Sequence, residues 1–565
     1  MANKIGVYVC ECGTNIAEKV DIDAVAAALS PLKDVAFVDR YKLLCAGDGQ
    51  KYLKESIEKH ALTHVVVAAC SPKQHEVTFM NVCEQAGLNP QLCQIVNIRE
   101  QCAWVTPDGA EATEKAIRQI RAAIKRVRYH AALEKREVGC NPDVLVIGGG
   151  IAGIKASNML AAPDRKVYLV EKDASIGGKV KSFGALFTDM ESGSKLIEEE
   201  LRSLQENGNV EVLTESEVEQ ILGFLGNYEV TVRRKGQDEC FDFNVGAVVL
   251  ATGFDLFDVS KLPKYGYGKL DNVYTSLEFE EMNLPEGPAG GKIMLRNDKP
   301  PETVAIIHCV GREEKGYCSK VCCLYSLKFD RMLKSQLPQV KISHFYSDLC
   351  VPGKSYQKFY EATRELGVEF VRSDKTEVAA SDKGLTIKYE TETGAKGDSA
   401  ADMVILLPAM EPASDARKFA EMLKLEQNEM GFFNEEHELL SPVASAVEGV
   451  FVIGCAQGPK GIAESVVQAE AAAGKILSTL VPGRKLKLEV RTSEISETFC
   501  TGCKACIDVC PYGAITFDEG KKISVVNEVL CHGCGNCAAA CPSDAAKLKH
   551  FTFPQLYQEL EAVLQ

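Results

Sequence analysis

Hydrophobic residues along this chain occur as short continuous runs, separated by stretches with the apolar spacing of helices. Such runs predict buried parallel strands joined by amphipathic helices. Near the N-terminus, strand-like runs cover residues 4–10 and 64–70, and residues 21–29 have helical spacing. We therefore expect a small α/β domain over residues 1–110.

A long charged helix is predicted to follow this domain. Residues 111–137 are rich in charged side chains, and Glu114 precedes Arg118 by four positions, as in a helix-stabilising pair. We expect a solvated connecting helix over residues 111–140. The alternative is a docking face built from its basic residues, Arg118, Arg121, Lys125, Arg126 and Arg128.

The pattern changes at Pro142, where a strand-like run leads into Gly148-x-Gly150-x-x-Gly153 and a helix. Glycines at this spacing allow a tight turn and let a pyrophosphate approach the N-terminus of the helix. A second strand then ends at Glu171, whose carboxylate is placed to accept a hydrogen bond from an adenosine ribose. We expect a doubly wound dinucleotide-binding domain over residues 141–485.

The glycine motif alone does not separate FAD from NAD. Three later segments favour FAD, by resemblance to flavoproteins that contain two dinucleotide domains. They are a glycine pair after the acidic strand end, an Ala-Thr-Gly turn, and a glycine-rich turn before a helix near Ile462. Cys455 is a departure, since such flavoproteins usually have aspartate there. The expected cofactor-binding residues in these segments are Gly178, Lys179, Thr252, Gly253, Gly454 and Lys460.

A second nucleotide-binding half is expected between the flavin segments, and its candidate strand covers residues 303–308. This strand does not lead into a glycine motif. It leads into four cysteines, which we interpret as the ligands of a 4Fe-4S cluster. Structural or redox-inactive thiols are the alternative. The cysteines are Cys309, Cys318, Cys322 and Cys323.

Eight cysteines near the C-terminus form two copies of the pattern C-x2-C-x2-C-x3-C-P. This pattern holds two 4Fe-4S cubanes, because three thiolates of each copy bind one cube and the fourth reaches the other cube. A pair of zinc sites is the alternative, which the repeated Cys-Pro ending disfavours. We assign one cluster to Cys500, Cys503, Cys506 and Cys541, and the other to Cys531, Cys534, Cys537 and Cys510.

A linker near residues 481–494 precedes these motifs. We therefore expect a ferredoxin domain of the bacterial two-cluster type over residues 486–548. A short amphipathic tail helix is expected over residues 549–565.

Composition limits the environment and the partners. The net charge of −15 argues against nucleic acid as a partner. The 23 cysteines are spread over 565 residues, which indicates metal ligation in a reducing compartment, and we expect a cytoplasmic protein. No signal peptide is predicted from the first residues, and no apolar run is long enough to span a bilayer.

Four segments together resemble the A-subunit family of heterodisulfide reductase. They are Val7 to Asn15 (VYVCECGTN), Val65 to Pro72 (VVVAACSP), Asn97 to Trp104 (NIREQCAW) and Cys309 to Cys323 (CVGREEKGYCSKVCC). The resemblance covers essentially the whole chain. It implies a thioredoxin-reductase-like FAD domain and an N-terminal domain with its own cluster. By position the ligands of that cluster are Cys10, Cys12, Cys45 and Cys70, with Cys102 as a substitute for one of them.

The resemblance also implies that Lys328 lies beside the flavin ring, where a cation would stabilise the reduced anionic flavin. A solvated helix lysine is the alternative. Methanogen members of the family carry a further ferredoxin-like insert in the FAD domain, and residues 141–485 contain no such cysteine-rich module. The chain is therefore similar to shorter, bacterial-type members.

These features predict a flavin and iron-sulfur electron-transfer protein with about four cubane clusters, acting within a larger complex. In this family an electron pair is split at the flavin between two chains of clusters, which couples ferredoxin to a higher-potential acceptor such as a disulfide. The implied partners are proteins similar to the B and C components of heterodisulfide reductase, ferredoxin, and an electron-input protein linked to hydrogenase or NADH. A homodimer within a hetero-oligomeric complex is expected.

Two other functions remain open at this stage. One is an NAD(P)H or ferredoxin:acceptor oxidoreductase without bifurcation. Its NAD(P)H-dependent form would need a second nucleotide site, and no second glycine motif is visible. A non-catalytic scaffold would use the flavin structurally and the clusters as wires.

Overall fold

A computed structural model describes residues 3–237, 239–382 and 384–564. The chain divides into two units. The terminal unit contains the chain up to Val138 together with the chain from Lys487 onward, and the central unit is Gly139–Leu486. The N-terminal and C-terminal segments, which are far apart in sequence, therefore fold together.

The N-terminal domain is a four-stranded parallel sheet with strand order β2-β1-β3-β4 and helices on both faces. Strands β1 and β3 are buried along their whole length, which explains their uninterrupted apolar sequences. Helices α1 and α4 cover one face, and α2 and α3 cover the other. The elements are β1 Ile5–Cys10, α1 Ile22–Leu29, β2 Val35–Tyr41, α2 Gly47–His60, β3 His64–Ala69, α3 Pro72–Gln85, β4 Cys93–Asn97 and α4 Gly109–Val127.

Helix α4 differs from the expected solvated connector. It ends at Val127, and its apolar face, including Ala116, Ile120 and Ile124, is buried in the core of the N-terminal domain. The charged residues that suggested a solvated helix lie on the opposite side of an amphipathic helix. Helix α4 therefore belongs to the N-terminal domain.

The C-terminal segment carries two short antiparallel strand pairs, β24 with β27 and β25 with β26. It packs on the N-terminal domain through Arg491, whose Nη2 lies 2.7 Å from Glu76, and through the stacked rings of His130 and His550. Arg126 of α4 also pairs with Glu559 of the last helix at 2.6 Å. The elements are β24 Ser493–Ile495, α13 Ala505–Asp508, β25 Ile515–Asp518, β26 Ile523–Val526, α14 Asn536–Ala540, β27 Ala546–Leu548 and α15 Phe553–Leu564.

The central unit contains two further sheets of the dinucleotide-binding type. The first is parallel, with strand order β22-β12-β6-β7-β8. Helices α5 and α12 pack together against it in one core. Its elements are β6 Val144–Ile147, α5 Ile151–Leu160, β7 Val167–Val170, α6 Gly193–Glu206, β8 Val210–Leu213, β12 Ala247–Leu250, β22 Val450–Val452 and α12 Ile462–Thr479.

The second sheet has strand order β14-β20-β15-β16-β17-β18-β19, parallel from β14 to β17 and antiparallel beyond. Helices α7 and α9 lie on one of its faces, where Phe279 and Phe329 are fully buried. Its elements are β14 Val273–Thr275, α7 Ser276–Met282, β15 Thr303–Val310, α8 Arg312–Lys315, α9 Cys322–Gln336, β16 Lys341–Tyr346, α10 Tyr356–Arg364, β17 Glu369–Ser381, β18 Gly384–Thr391, β19 Lys396–Ala401 and β20 Met403–Pro408.

The remaining strands are peripheral. A three-stranded antiparallel sheet, β11-β10-β9, packs under the first dinucleotide sheet. Among the helices formed by the described residues, none is both long enough and apolar enough to cross a bilayer. The further elements are β5 Glu137–Gly139, β9 Ser216–Phe224, β10 Asn227–Arg234, β11 Cys240–Val245, β13 Phe254–Leu256, β21 Met410–Pro412, α11 Ala416–Leu423 and β23 Lys485–Lys487.

Candidate redox sites

The glycine motif lies between β6 and α5, at the carboxyl edge of the first parallel sheet. Gly148 has a φ of +107°, and a Cβ there would lie 2.3 Å from the carbonyl oxygen of Ala251. A Cβ on Gly153 would lie 1.9 Å from the carbonyl oxygen of Gly148, so helix α5 can approach β6 only without that side chain. A Cβ on Gly150, by contrast, would have no protein atom within 4 Å apart from those of its chain neighbours. The loop thus leaves open space at the N-terminus of α5.

Glu171 follows β7 beside this loop and is buried. Its Oε2 accepts a 2.7 Å hydrogen bond from the backbone N–H of Gly149, and its Oε1 accepts a 2.9 Å bond from Asp173 N–H. Each carboxylate oxygen can accept a second bond. Glu171 therefore ties the glycine loop to the next strand and retains acceptor capacity.

The Ala-Thr-Gly turn after β12 reaches the same edge of the sheet, because β12 is the neighbour of β6. The hydroxyl of Thr252 is buried and makes no hydrogen bond to any described residue. Gly253 adopts a φ of +75° with no protein atom near its Cβ position. Buried hydroxyl groups nearly always have a hydrogen-bond partner, so the Thr252 hydroxyl is available to bind a cofactor.

Gly178 has a φ of +55° and packs against Gly150, whose Cα is 2.9 Å from the position of a Gly178 Cβ. The next residue, Lys179, donates a 2.5 Å hydrogen bond to the carbonyl of Phe254 and lies 3.6 Å from Asp255. The glycine pair therefore lies against the first glycine loop, and Lys179 reaches the segment after the Ala-Thr-Gly turn.

The late turn at Gly454 follows β22, which lies beside β12 at the edge of the sheet. Gly454 has a φ of +63° and donates its N–H to Gln468 at 2.9 Å. Lys460 folds back onto this turn, where its Nζ donates to the carbonyl of Gly454 at 2.8 Å. Burial lowers the pKa of Lys460 to about 8. Helix α12 begins at Ile462, as the sequence predicts.

These residues fit a dinucleotide cofactor. The strand order places the glycine loop, Glu171, the Ala-Thr-Gly turn and the Gly454 turn at one edge of one sheet. The open space at Gly150 and the unpaired hydroxyl of Thr252 are the features that a bound pyrophosphate-linked cofactor would use.

Lys328 lies on α9 and is almost completely buried. Its Nζ forms an ion pair with Glu280 of α7 and donates a 2.5 Å hydrogen bond to the carbonyl of Ala185. Burial lowers the pKa of Lys328 and raises that of Glu280, while the attraction between the two charges opposes both changes. The rings of Phe183 and Phe329 lie 5.0 and 5.5 Å from Nζ. Lys328 is therefore not a solvated helix lysine.

The cysteines of the C-terminal segment line two separate cavities. Each cavity is lined by three cysteines of one motif and the last cysteine of the other motif, together with polar and apolar residues such as Tyr512 and His532 in one cavity and Lys504 in the other. The sets are Cys510, Cys531, Cys534 and Cys537 around one cavity, and Cys500, Cys503, Cys506 and Cys541 around the other.

Backbone N–H groups point at several of these sulfurs. Ala514 N–H donates to Cys510 at 3.3 Å, and Ala546 N–H donates to Cys541 at 3.4 Å. Burial would raise the pKa of Cys541, but hydrogen bonds, led by the one from Ala546, lower it overall. Such donors suit thiolates that carry negative charge.

In the N-terminal domain, four cysteines converge at the carboxyl edge of the sheet. Cys10 ends β1, Cys70 follows the neighbouring strand β3, and Cys45 precedes α2. The sulfur of Cys10 lies close enough to Cys12 and Cys45, and that of Cys70 close enough to Cys45, for their charges to interact. Burial is the largest cause that raises the pKa of Cys10, to about 11.

Cys102 lies on the other side of this sheet. Its thiol donates to the carbonyl of Ala112 at 3.1 Å, inside the core that α1 and α4 cover. The structure thus does not bring Cys102 to the other four cysteines. Arg99 is at the site instead, with Nη1 3.9 Å from the sulfur of Cys12.

The third set surrounds the start of α9. Cys309 is in β15 with a φ of +57°, and Cys322 and Cys323 are the first two residues of α9. Cys322 is within electrostatic range of Cys323, Cys309 and Cys318. A hydrogen bond from Cys322 lowers the pKa of Cys323 and raises that of Cys322. Strand β15 and helix α9 bring this set together.

The sequence interpretation missed one member of this neighbourhood. Cys350 is not among the four predicted ligands, yet it lies within electrostatic range of Cys318 and Cys323. It follows β16, the strand beside β15, so both strands deliver a cysteine to one edge of the sheet. No cysteine motif in the sequence links Cys350 to the other four.

No three His, Cys, Asp or Glu side chains in the described part of the chain lie close enough to chelate a single metal ion. A cubane cluster differs from a single ion because its four thiolate ligands bind four different iron atoms.

The first dinucleotide sheet, with its glycine loop, and the cysteine-lined cavities define the class of this protein. It is an FAD-dependent oxidoreductase that also carries iron-sulfur clusters. Residues 142–473 match the pyridine nucleotide-disulphide oxidoreductase family, and residues 499–545 match the 4Fe-4S dicluster domain. The whole chain belongs to the family of heterodisulfide reductase iron-sulfur A-subunits. It is a flavin and iron-sulfur electron-transfer protein of that family.

Two relatives support this membership. The chain is 36% identical to the first iron-sulfur A-subunit of CoB–CoM heterodisulfide reductase from Methanopyrus kandleri, over 99% of this chain and 98% of that protein. It is 34% identical to the A-subunit of the H(2):CoB-CoM heterodisulfide,ferredoxin reductase of Methanothermobacter marburgensis, over 99% of this chain and 97% of that protein.

The alignment with the Methanopyrus protein spans 653 positions, more than the 565 residues of this chain, so this chain has gaps in it. Among solved structures, thioredoxin reductase of T. acidophilum matches 60% of this chain and 98% of its own, at 16% identity and a TM-score of 0.42.

Proposed function

We propose that an electron pair is divided within this chain between two chains of clusters, coupling ferredoxin to a higher-potential acceptor such as a disulfide. When bound, FAD exchanges electrons in pairs and each cubane exchanges one. The observation that carries the proposal is that Cys309, Cys318, Cys322 and Cys323 follow the strand where a second nucleotide loop is expected. Their loop reaches the first dinucleotide sheet, since Lys320 lies 3.9 Å from Glu464 at the start of α12.

Four cubane sites are proposed. The two cavities of the C-terminal segment support the crossed ligand sets, since each is lined by four cysteines from both motifs. The convergence of thiols supports the other two sets. These are Cys10, Cys12, Cys45 and Cys70 in the N-terminal domain, and Cys309, Cys318, Cys322 and Cys323 in the central unit.

Helix α9 is the proposed connection between the Cys309 set and the flavin. It carries Cys322 and Cys323 in its first turn and Lys328 further along. Lys328 contacts the carbonyl of Ala185, in the segment that follows the Gly178 turn of the flavin site. A buried cation held there by Glu280 would stabilise negative charge on a reduced flavin.

We place the chain in a cytoplasmic complex, where thiolate ligands stay reduced. The name of the Methanothermobacter relative includes both a heterodisulfide and ferredoxin as substrates of one reductase. By analogy we propose ferredoxin as one redox partner. The others are proteins similar to the B and C components of heterodisulfide reductase and a hydrogenase- or NADH-linked input protein. A homodimer of this chain within that complex is part of the proposal.

The test uses the complex purified anaerobically from its natural source, with its native donor, ferredoxin and disulfide acceptor. Division of electron pairs requires that ferredoxin reduction depends strictly on the presence of the acceptor, with equal numbers of electrons reaching both. Ferredoxin reduction at an undiminished rate without the acceptor contradicts the proposal.

The competing function is an NAD(P)H:acceptor oxidoreductase, which the name of the matching pyridine nucleotide-disulphide family favours. NADH or NADPH added to the isolated holo-chain distinguishes the two. Rapid bleaching of the flavin by either nucleotide would favour this function. An unbleached flavin supports a route through partners.

A further inference from the structure

A chain of hydrogen-bonded side chains runs from Cys323 into the interior of the central unit. Nδ1 of His308 lies 3.7 Å from the sulfur of Cys323. Nε2 of His308 lies 2.8 Å from Nδ1 of His344, and Nε2 of His344 lies 2.8 Å from Oδ1 of Asp330. Four side chains from two strands and one helix thus form one line.

All three polar residues of the line are buried, and His344 and Asp330 have no exposed surface. Three different elements position them. His308 is in β15, His344 is in the neighbouring strand β16, and Asp330 is on α9, which also supplies Cys323. Burying three polar side chains costs free energy unless each finds partners, so the arrangement is specific.

The direction of the hydrogen bonds follows from the chemistry of the ends. A cysteine that binds iron is a thiolate and can only accept, so His308 must carry its proton on Nδ1 to make the first bond. His308 Nε2 then accepts from Nδ1–H of His344, and one proton lies in the bond between His344 Nε2 and Asp330 Oδ1. That proton belongs to Asp330 when the carboxyl is a neutral acid, and to His344 when the two side chains form an ion pair.

The surroundings of Asp330 favour the neutral acid. Burial raises the pKa of Asp330. Its second oxygen, Oδ2, is buried and finds no hydrogen-bond partner among the described residues. An ionised carboxylate with an unpaired oxygen is costly in an apolar interior, and the neutral acid reduces this cost.

We propose that His308, held in orientation by His344 and Asp330, donates a hydrogen bond to the Cys323 sulfur of a bound cluster and raises the reduction potential of that cluster. This inference rests on the proposed ligand set Cys309, Cys318, Cys322 and Cys323. A hydrogen bond to a ligand sulfur favours the reduced cluster, which carries one more negative charge. His308 acts through the ligand Cys323 and is not itself a ligand of the cluster.

The experiment is an EPR-monitored redox titration of the full holo-chain, with dithionite as reductant. Subtracting the spectra of Cys318→Ala isolates the signal of this cluster. His308→Leu removes the donor, whereas the amide of His308→Asn places an N–H near the position of Nδ1. Asp330→Leu and Asp330→Asn form a second pair at the far end of the line, because the asparagine amide can still donate to His344.

We expect the midpoint potential to become more negative in both leucine variants and to stay close to the wild-type value in both asparagine variants. An unchanged potential in His308→Leu with full iron content overturns the inference. If His308→Leu loses this cluster, the Asp330 pair decides, and equal potentials in that pair overturn it.

Loss of the cluster from both leucine variants, with retention in both asparagine variants, shows a purely structural role and also overturns the inference. The failure of the proposed cluster itself looks different. Wild type and Cys318→Ala would then have the same iron content and the same EPR spectrum.

Discussion

Lys328 and Glu280 form an ion pair in which the two side chains are only 3% and 4% exposed. Neither charge can be hydrated, so each depends on the other and on the neighbouring backbone. Breaking a buried pair by removing one partner leaves an uncompensated charge, which costs more than removing both. Lys328 lies on the helix that begins with Cys322 and Cys323, and Glu280 lies on α7, so loss of the pair should affect the flavin region of the central unit.

We therefore expect Lys328→Met to destabilise the central unit by about 3–5 kcal/mol. The double variant Lys328→Met/Glu280→Met should recover most of this loss, because no charge is left unpaired. Denaturant unfolding followed by flavin fluorescence measures both. Equal unfolding midpoints for the wild type and the single variant would show that the pair carries no such energy.

The crossed ligand sets make a prediction about iron content. Cys541 lines the cavity of Cys503, whereas Cys534 lines the other cavity. Cys541→Ser/Cys503→Ser should therefore lose one cluster, about four irons, and Cys541→Ser/Cys534→Ser should lose two, about eight irons. Iron and sulfide analysis of anaerobically purified protein gives the result. The opposite ranking would mean that each motif binds its own cluster.

The N-terminal site offers a matched pair of cysteines. Cys70 lies at the carboxyl edge of the sheet with Cys45, and Cys102 lies in the core on the other face. Cys70→Ser should lose about four irons, while Cys102→Ser should keep the full content. Iron loss in Cys102→Ser with retention in Cys70→Ser would revise the ligand set.

The glycine loop separates a folding role from a binding role. A Cβ on Gly150 meets no protein atom, and its φ of −80° suits alanine, so Gly150→Ala should fold normally but bind less FAD. Gly153→Ala should destabilise the apoprotein, since its Cβ would lie 1.9 Å from a backbone oxygen. Flavin content and apoprotein unfolding are measured for both, with Gly474→Ala in α12 as control. Full flavin content in Gly150→Ala would show that FAD does not occupy the open space at Gly150.

The partly buried Lys460 should make stability depend on pH. Its pKa is lowered to about 8, whereas a lysine in the unfolded chain titrates at about 10.4. Between these values the unfolded chain binds more protons, so the contribution of Lys460 to the stability of the apoprotein rises with pH. Below about pH 8 the charge of this partly buried lysine lowers stability.

We therefore expect Lys460→Met to be more stable relative to wild type at pH 7 than at pH 10. Denaturant unfolding of the two apoproteins at both pH values checks this. Lys358→Met, at the surface of α10, is the matched control. A stability difference that does not change with pH would contradict the lowered pKa.

Several features could be read from the chain because they depend on local spacing. Each of these features lies within a short segment whose residue types indicate one kind of ligand. They are the two cysteine motifs, the glycine loop with Glu171, and the cysteine run after the strand at residue 303. Their elements appear in the structure with boundaries shifted by only a few residues. Helix α5, for example, begins at Ile151 and the following strand ends at Val170.

Other features needed the fold. The prediction of a solvated connector at helix α4 is wrong because charge is visible in a sequence, whereas the partner of an apolar face is not. Cys350 joined the third cysteine set, and Cys102 separated from the first, because strand order decides which loop meets which. The line from Cys323 to Asp330 combines two strands and a helix.

By itself, the sequence determined the class of chemistry: thiolates at cubane spacing and a glycine loop at dinucleotide spacing, both set by neighbouring residues along the backbone. The tertiary structure decided which distant groups share a site. It joined the two ends of the chain into one unit, paired Lys328 with Glu280, and aligned His308 with His344. Such contacts depend on sheet order and on packing in a low-dielectric interior, which local spacing does not encode.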